Sequence, residues 1–368
     1  MPERLQAVIL AGGQGSRLRP LTLTTPKPLV PLANRPVIEH IVGWLEQYGV
    51  GEIILATQYR AAAFERWLGR RRRADQSLVR AVEEPEPRGT AGAVAHLADQ
   101  LHGLTIVVNG DNLMRLDLAA MLQTHRAAAA LATISTDAVA DPTGRGVVLS
   151  DERGRVSAFQ EKPAPGAALA NTVNTGVYLL EPAALALIPR GRFCNFEQDV
   201  FPALIAAGQR VAAFQSAHVW IDTGTPAGYL RAQQAVLAGQ ASAPDGGLAG
   251  GVWQADSVTI DGAAVLRPPV ALGFGAMIAA GAQLHGSSIG RECHVLAGAT
   301  VERSAVWDGC QIERGATIRD SILGYACYIG AGAALDGAII GDGCIIGPGA
   351  ALAPGTTLPP HTSWPRAT

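Results

Sequence analysis

Several kinds of residue are scarce in this chain of 368 residues, and each scarcity excludes a class of protein. Five cysteines are too few for a disulfide scaffold of this length. A formal net charge of −2 gives no excess of basic residues for nucleic acid or an anionic membrane. No run approaches the roughly 18 consecutive apolar residues of a membrane span, and Glu3 and Arg4 lead straight into a short apolar strand, unlike a signal peptide. We therefore expect a soluble, cytoplasmic protein with no nucleic-acid or membrane partner.

The chain is long enough for two domains, and its pattern changes once. Up to about residue 235, strand-like apolar runs alternate with helical patterns, which predicts an α/β domain with a largely parallel sheet. We predict this domain at residues 1–238 and a Gly-, Ala-, Ser- and Pro-rich linker at residues 239–251. The strand-like runs lie at residues 7–10, 52–56, 105–108, 132–136 and 211–214, and the helical patterns at 37–48, 90–101 and 118–125.

Residues beyond the linker repeat with a fixed period of 17. Apolar anchors recur at spacings of six, six and five, and a usually small residue follows four positions after each. A short fixed period is typical of a solenoid whose coils bury their faces against each other. The pattern resembles the hexapeptide repeats of left-handed parallel β-helices, so we expect such a β-helix at residues 252–358 and a tail at 359–368. The anchors are Leu272, Ile278, Leu284, Ile289, Val295, Val301, Val306, Ile312, Ile318, Leu323, Ile329, Leu335, Ile340, Ile346 and Leu352.

Four cysteines fall on this repeat, at Cys293, Cys310, Cys327 and Cys344, each 17 residues from the next. Stacked coils would give a straight ladder of thiols at the strand spacing of about 4.8 Å. Zinc needs ligands that converge on one point, so we interpret these thiols as small apolar residues that fill the core.

A Gly-rich loop follows the first strand and is accompanied by two basic residues. Backbone N–H groups in such a loop can approach phosphate oxygens. Arg17 adds positive charge, and Lys27 stands between two prolines that restrict its backbone. The glycine spacing is neither the Rossmann pattern nor the Walker pattern. The strand end and the loop contain Leu10, Ala11, Gly12, Gly13 and Gly15.

Residues 12–29 read G-G-x-G-x-R-L-x-P-L-T-x-x-x-P-K-P-L, which resembles the signature of the nucleoside-diphosphate-sugar pyrophosphorylases with every specified position filled. Residues 84–92, 109–111, 161–163, 174–176 and 220–226 match later family segments in order. With the C-terminal repeats, the resemblance covers nearly the whole chain. It implies a Rossmann-like enzyme that joins a sugar-1-phosphate to a nucleoside triphosphate and releases pyrophosphate.

The resemblance implies a site for each part of the two substrates. Attack of a sugar phosphate on a triphosphate is catalysed mainly by charge neutralisation and positioning. The implied catalytic cations are Arg17, Lys27 and Lys162, and Asp111 and Asp222 would bind Mg²⁺. Nucleotide-binding residues would be Leu10, Ala11, Gly12, Gly13, Gly15, Glu84, Gly89, Thr90 and Gly110, and sugar-phosphate-binding residues Gly146, Glu161, Lys162, Asn174 and Glu197.

The base and the sugar are predicted from a few positions. Relatives that use UTP or dTTP generally carry glutamine five residues before the glycine matched by Gly89, where this chain has Glu84. A carboxylate accepts two hydrogen bonds and donates none, which suits the adjacent N1–H and N2–H donors of guanine. Residues 84–92 also resemble a segment of the mannose-1-phosphate guanylyltransferases, so we expect GTP and mannose-1-phosphate. Arg145 stands where the family usually has an aromatic residue, which bears on the identity of the sugar.

Three alternatives stay open. A glucose-1-phosphate thymidylyl- or uridylyltransferase would share the reaction class and differ in the base. A second acyltransferase activity in the β-helix would usually need a catalytic histidine, and His285, His294 and His361 lie in no such motif. A non-catalytic regulatory subunit that binds a sugar nucleotide would not need the intact cations and carboxylates. Because an end coil leaves strand edges unpaired, we also expect a homo-oligomer assembled through the β-helix.

Overall fold

The computed structural model describes residues 5–71, 77–215, 219–244 and 246–365. The chain divides into two compact units. Unit 1 comprises Met1–Gly13, Ile41–Gly110 and Met114–Trp220, and unit 2 comprises Gln14–His40, Asp111–Leu113 and Ile221–Thr368. The domain boundaries read from the sequence stay predictions. Among the described helices, none has the length and apolarity to cross a membrane.

Two helices begin at side-chain caps. Asp117 caps the helix Leu118–Ala127 by accepting a hydrogen bond from Ala120 N–H at 3.0 Å, and Thr225 caps the helix Pro226–Leu237 by accepting one from Gly228 N–H at 3.1 Å. The α-helices are α1 Val37–Gln47, α2 Ala61–Arg70, α3 Gly89–His96, α4 Leu118–Ala127, α5 Pro182–Ala186, α6 Phe201–Ala206 and α7 Pro226–Leu237. Short 3₁₀ turns cover Ser16–Leu18, Leu21–Leu23, Lys27–Leu29 and Ala98–Gln100, and a π-helical turn covers Phe196–Val200.

Residues up to 222 contribute strands to the unit 1 sheet and to two small two-stranded sheets. One small sheet pairs Pro31–Leu32 with Arg35–Pro36, and the other pairs Asn112–Arg115 with Val219–Asp222. These strands are β1 Gln6–Ala11, β2 Pro31–Leu32, β3 Arg35–Pro36, β4 Glu52–Thr57, β5 Leu78–Glu83, β6 Thr105–Asn109, β7 Asn112–Arg115, β8 Ala132–Ala138, β9 Gly146–Ser150, β10 Val156–Glu161, β11 Thr172–Leu180, β12 Val211–Gln215 and β13 Val219–Asp222.

The sheet of unit 1 has nine described strands, with β10-β9-β11-β6-β1-β4-β5 as its path and β8 joining β11 to β12. Strands β6, β1, β4 and β5 are parallel, as are β8 and β12. Strand β11 runs antiparallel to β6, β8 and β9, and β9 and β10 form an antiparallel hairpin. The predicted α/β class is confirmed, but the sheet is mixed rather than largely parallel. Residues 146–180 form three strands without the crossover helices that parallel neighbours need.

Unit 2 contains the parallel β-helix predicted from the 17-residue period. Every anchor of the repeat is at most 4% exposed, and these residues share one apolar core. Parallel strands continue to Ser363–Trp364, beyond the end predicted at residue 358, and the strand Gly247–Ala249 lies within the predicted linker. The strands are β14 Gly247–Ala249, β15 Val252–Gln254, β16 Thr259–Ile260, β17 Val265–Leu272, β18 Met277–Ile278, β19 Gln283–Ile289, β20 His294–Val295, β21 Thr300–Glu302, β22 Ala305–Val306, β23 Gln311–Ile312, β24 Thr317–Arg319, β25 Ile322–Leu323, β26 Tyr328–Ile329, β27 Ala334–Asp336, β28 Ile339–Ile340, β29 Ile345–Ile346, β30 Ala351–Leu352, β31 Thr357–Leu358 and β32 Ser363–Trp364.

The four cysteines of the repeat are free and buried in this core. Each thiol donates to a backbone carbonyl: Cys293 to Trp307 O at 3.0 Å, Cys310 to Gly324 O at 3.1 Å, Cys327 to Gly341 O at 3.2 Å and Cys344 to Pro359 O at 3.1 Å. Neighbouring thiols and burial raise the pKa of Cys310 well above its ordinary value. The Cys310 side chain therefore fills space in its protonated form.

Candidate active site

A cluster of cations and carboxylates forms in unit 2 from residues far apart in the sequence. Lys27 begins the 3₁₀ turn Lys27–Leu29 and is buried. Its Nζ donates a hydrogen bond to Asp111 Oδ2 at 2.9 Å and lies 3.5 Å from Asp222 Oδ1. The Arg17 guanidinium lies 3.3 Å from Asp222 Oδ2. Four of the residues selected from the sequence thus meet at one place.

The backbone around this cluster is held closely. Gly15 has φ +61°, and a Cβ there would lie 2.9 Å from Lys27 Cβ, so the loop passes against the lysine only because the residue is glycine. Thr22 Oγ1 donates to Gly15 O at 2.8 Å. Thr223 Oγ1 donates to Asp111 O at 2.8 Å and ties together the two chain segments that carry the carboxylates. Thr22 and Thr223 lie in segments that match the family, but nothing in a linear pattern reveals their hydrogen-bond partners.

The charges of the cluster keep Asp222 ionised. Burial raises the pKa of Asp222, but the charge of Lys27, the hydrogen bond from Gly224 N–H at 2.7 Å and the charge of Arg17 together outweigh burial. The net pKa is lower than the ordinary value. A carboxylate that is ionised at neutral pH can accept hydrogen bonds and can bind a cation.

The two carboxylates also fit a Mg²⁺ ion. Asp111 and Asp222 both approach one cationic centre, the Lys27 ammonium, and carboxylate oxygens are ligands that Mg²⁺ prefers. Within the described ranges, no group of three or more His, Cys, Asp or Glu side chains could hold a metal ion. Mg²⁺ commonly uses one or two carboxylates and completes its shell with water and substrate phosphates, so a pair of carboxylates is a sufficient protein contribution.

Glu84 is a buried carboxylate beside the Gly-rich loop of unit 1. It follows β5 directly, its N–H donates to Thr57 O at 2.7 Å, and it is 6% exposed. A Cβ placed on Gly12 would lie 3.6 Å from Glu84 Oε1, so the carboxylate faces this loop. Burial raises the pKa of Glu84 to about 7, although the N–H and the charge of Arg88 act in the opposite direction. The group therefore titrates near neutral pH.

The other predicted nucleotide-binding residues of unit 1 lie on three strand or helix ends. Leu10 and Ala11 end β1, with Gly12 and Gly13 in the loop that follows. Gly110 donates its N–H to Leu10 O at 2.9 Å. Gly89 and Thr90 begin α3, where Thr90 N–H donates to Asn195 Oδ1 at 3.1 Å. Gly15, assigned to the same role, lies in unit 2.

Asn174, Glu197 and Thr90 form a hydrogen-bonded cluster around Tyr178. Asn174 Nδ2 donates to Tyr178 Oη at 2.7 Å, and Tyr178 Oη donates to Glu197 Oε1 at 2.9 Å. Thr90 Oγ1 donates to Glu197 Oε2 at 3.2 Å. Burial and then the charge of Glu197 raise the pKa of Tyr178 well above its ordinary value, so it remains a donor. The sequence missed Tyr178 because it lies in the apolar run of β11 and reads as a core residue.

Gly146, Glu161 and Lys162 come together at the end of the β9–β10 hairpin. Gly146 is the register partner of Glu161, and Lys162 Nζ lies 3.0 Å from Glu161 Oε1. Lys162 N–H donates to Arg145 O at 3.0 Å. The Lys162 side chain is 67% exposed, so its ammonium is accessible to solvent. The Arg145 guanidinium lies 5.1 Å from the centroid of the Trp220 ring, a cation–π contact.

A buried lysine and an exposed arginine beside paired carboxylates, together with a Gly-rich loop after a strand, are features of an enzyme that handles phosphoryl groups. Residues 6–239 match the family described as nucleotidyl transferase. Residues 249–352 match the EIF2B subunit epsilon LbH domain, a left-handed β-helix. Since the first match spans more than half of the chain, the chain belongs to the nucleotidyl transferase family.

Relatives refine the class. A mannose-1-phosphate guanylyltransferase of Mycobacterium tuberculosis is 36% identical over 78% of this chain and 80% of its own length. A UTP–glucose-1-phosphate uridylyltransferase of Synechocystis is 32% identical over 63% of each chain. The crystal structure of HddC from Yersinia pseudotuberculosis complexed with GMP-PN is 29% identical, with a TM-score of 0.55, and covers 62% of this chain and 98% of that chain. The predicted likeness to sugar-1-phosphate nucleotidyltransferases is confirmed.

Proposed function

We propose that this enzyme transfers the guanylyl group of GTP to a sugar-1-phosphate, with mannose-1-phosphate as the favoured acceptor, and releases pyrophosphate. The observation that carries the choice of GTP is the buried Glu84 carboxylate against the Gly12 loop. The Mycobacterium tuberculosis relative and the HddC complex with GMP-PN support a guanine nucleotide. The uridylyltransferase relative supports UTP with glucose-1-phosphate as the second candidate.

Glu84 would recognise the guanine edge through its two oxygens. N1–H and N2–H of guanine are adjacent donors, and an ionised carboxylate can accept from both. Uracil presents one donor between two acceptors, and those acceptors would face the carboxylate without a partner. A buried polar group left unpaired costs about 1–3 kcal/mol, which is enough to discriminate strongly between bases.

Arg17 and Lys27 would neutralise the phosphates during transfer. The sugar phosphate oxygen attacks the α-phosphorus in line, and negative charge moves onto the departing pyrophosphate. Lys27, buried and oriented by two carboxylates, is a fixed positive charge that needs little reorganisation at that moment. Arg17 is more exposed and would bind the triphosphate as it enters. Mg²⁺ held by Asp111 and Asp222 would supply further charge neutralisation at the phosphates.

The sugar phosphate would be bound by the two polar clusters of unit 1. Glu197 already accepts hydrogen bonds from Tyr178 and Thr90, which fix the carboxylate and leave lone pairs for sugar hydroxyls. Asn174 and Glu161 would contribute further acceptors, and Gly146 would allow close approach of the backbone. Lys162, exposed beside Glu161, would bind the phosphate.

The experiment that tests this function is pyrophosphate release across a matrix of nucleoside triphosphates and sugar-1-phosphates. We expect the largest kcat/KM for GTP with mannose-1-phosphate. A preference for UTP or dTTP would contradict the proposed choice of guanine but not the class of reaction. Absence of pyrophosphate release with every pair would contradict the transfer reaction itself and favour a regulatory subunit.

A further inference from the structure

The hairpin β2–β3 follows the 3₁₀ turn that Lys27 begins, and it is held at both of its ends within unit 2. Its turn contains Ala33 and Asn34 with φ of 48° and 68°, and at its base Val37 N–H donates to Val30 O at 3.1 Å. Lys27 lies only four residues before Pro31, with Val30 N–H donating to Lys27 O at 3.2 Å. A displacement of the hairpin would therefore be transmitted directly to the backbone of Lys27.

Two consecutive coils of the β-helix hold this hairpin. At its tip, Asn34 Nδ2 donates to Ile289 O at 2.9 Å. At its base, the Tyr229 hydroxyl of α7 donates to Pro31 O, and Trp307 Nε1 donates to the same hydroxyl at 3.1 Å. Ile289 is the register partner of Val306, so Trp307 follows on the next coil. Tyr229 and Trp307 are both buried, so neither bond is readily replaced by water.

Helix α7 is itself fixed to the same coils. The Gln233 side chain is fully buried, donates to Ser304 O at 3.0 Å and accepts from Ser288 Oγ at 2.8 Å. Gln234 Nε2 donates to Gly286 O at 2.6 Å. Because these two amides have their partners only when α7 lies against the coils, the Tyr229 hydroxyl has one preferred position relative to Trp307.

We propose that the β-helix positions Lys27 for the transfer reaction through the hairpin β2–β3, with Tyr229 and Asn34 as positioning residues. Neither residue touches the reacting atoms; each acts by fixing the backbone that carries the Lys27 ammonium between Asp111 and Asp222. The β-helix would then contribute to catalysis within one chain, in addition to any part it has in assembly. This proposal rests on the role proposed above for Lys27 at the phosphates.

Two variants break the connection, and a third serves as a matched control. Tyr229→Phe removes the hydroxyl that joins Trp307 to Pro31 but keeps the ring. Asn34→Gly removes the bond to Ile289 O and suits the positive φ of the turn. Ser321→Ala removes a buried hydroxyl that also makes two hydrogen bonds in the β-helix, to Arg319 O and from Ala338 N–H, with no contact to the hairpin.

Hydrogen exchange is measured first, because it needs no substrate. We expect the Val37 amide to exchange at least about tenfold faster in Tyr229→Phe and Asn34→Gly than in wild type, since loosening the hairpin weakens its bond to Val30 O. It should stay unchanged in Ser321→Ala. Unchanged exchange in both hairpin variants would overturn the proposal, whatever nucleotide the enzyme uses.

Kinetics then separate positioning from simple loss of stability. Misplacement of Lys27 should lower kcat about 10- to 100-fold and raise the KM for the nucleotide, with the KM for the sugar phosphate unchanged. A purely structural defect lowers the active fraction and leaves both KM values unchanged.

In a Lys27→Gln background the Tyr229→Phe effect on kcat should vanish. Kinetics of Tyr229→Phe that match Ser321→Ala, or effects that add to Lys27→Gln, would contradict the proposal. If UTP proves to be the donor, the base assignment fails and the same measurements are made with UTP.

Discussion

Burial of Glu84 explains both the base specificity that we propose for this residue and the free-energy cost of its charge. The carboxylate is 6% exposed, and burial raises its pKa to about 7. A carboxylate kept in such a site is disfavoured until donors arrive to pair with it. Adjacent donors on a bound base would relieve that cost, which is why we assign the residue to base recognition rather than to the loop's own structure.

Replacing Glu84 with glutamine should weaken the use of GTP selectively. Glu84→Gln exchanges one acceptor for a donor that would face a guanine donor, at a cost of about 1–3 kcal/mol. We expect kcat/KM for GTP to fall roughly tenfold to several-hundredfold and kcat/KM for ITP, which lacks the N2 amino group, to fall less. Glu83→Gln, at the exposed neighbouring position, is the control. Equal, weak responses of GTP and ITP would contradict base reading by Glu84.

The same residue predicts a pH dependence of GTP binding. Only the ionised Glu84 can accept both guanine donors, and with a pKa of about 7 the free enzyme protonates this group as the pH falls. Binding must then release a proton, so the KM for GTP should rise below pH 7, approaching tenfold per pH unit, and level off above about pH 8. The triphosphate titrates in this range too, so the profile is compared with that of Glu84→Gln, which should lack the added dependence. Identical profiles would count against the assignment.

Asp111 tests the metal assignment. Its side chain is 44% exposed and makes one ion pair, to Lys27, so Asp111→Asn should fold normally. Loss of one carboxylate should lower kcat by roughly two to four orders of magnitude, since charge stabilisation at the phosphates is worth several kcal/mol. The comparison is Asp256→Asn, an exposed carboxylate of the β-helix, together with activity in EDTA. Near-normal turnover of Asp111→Asn, or full activity in EDTA, would remove the metal assignment.

Among the structural elements, the repeat of the β-helix could be predicted from the sequence, because each coil contacts only its neighbours and the pattern is therefore local. Its departures are local too: register partners are 17 residues apart at Leu284–Val301 but 18 apart at Val265–Gln283 and at Ile340–Leu358. A constant period of 17 residues does not predict the extra residue that occurs in a coil at either end of the β-helix.

The elements of unit 1 could be predicted less completely, because their pairing is not local. The pattern at residues 90–101 predicts one helix, whereas α3 ends at His96 and a 3₁₀ turn covers Ala98–Gln100. Alternation alone cannot show that β11 runs antiparallel to its neighbours. Lys27, Asp111 and Asp222 could be selected by family resemblance, but only the fold shows that one ammonium contacts both carboxylates. Tyr178 could not be predicted as a site residue, because the hydropathy pattern does not show which groups its hydroxyl contacts.

At the scale of the whole molecule, unit 2 contains the cation–carboxylate cluster as well as the β-helix. Residues 14–40, 111–113 and 221–238, assigned by sequence to the first domain, belong to the same compact unit as the β-helix. Substitutions in the β-helix would therefore affect the transfer reaction as well as any assembly. A variant that breaks assembly alone must lie on a face of the β-helix that makes no contact with the hairpin β2–β3 or with α7.

One sheet of the β-helix offers such a face. Strands β16, β18, β20, β23, β26, β29 and β32 pair in sequence, and their first residues share one outward position. We call these residues the outward column. None is Lys, Arg, Asp or Glu, and Met277 and Ile345 are 47% and 51% exposed. A column of this length with no charged member and two exposed apolar side chains suits a second copy of the chain better than solvent. The outward column consists of Thr259, Met277, His294, Gln311, Tyr328, Ile345 and Ser363.

We predict that the full-length chain is a homo-oligomer assembled through the outward column. Replacing Met277 and Ile345 together with lysine would bring like charges close to each other or to apolar surface in the assembled state, which costs several kcal/mol across an interface. Light scattering at micromolar concentration should show an oligomer for wild type and a monomer for the double variant, with nucleotide KM unchanged. Lysines at Ala334 and Ala351, exposed positions of another sheet, control for added charge and should leave the oligomer intact. A monomeric wild-type chain would refute assembly outright, and an oligomeric double variant would refute this face as its site.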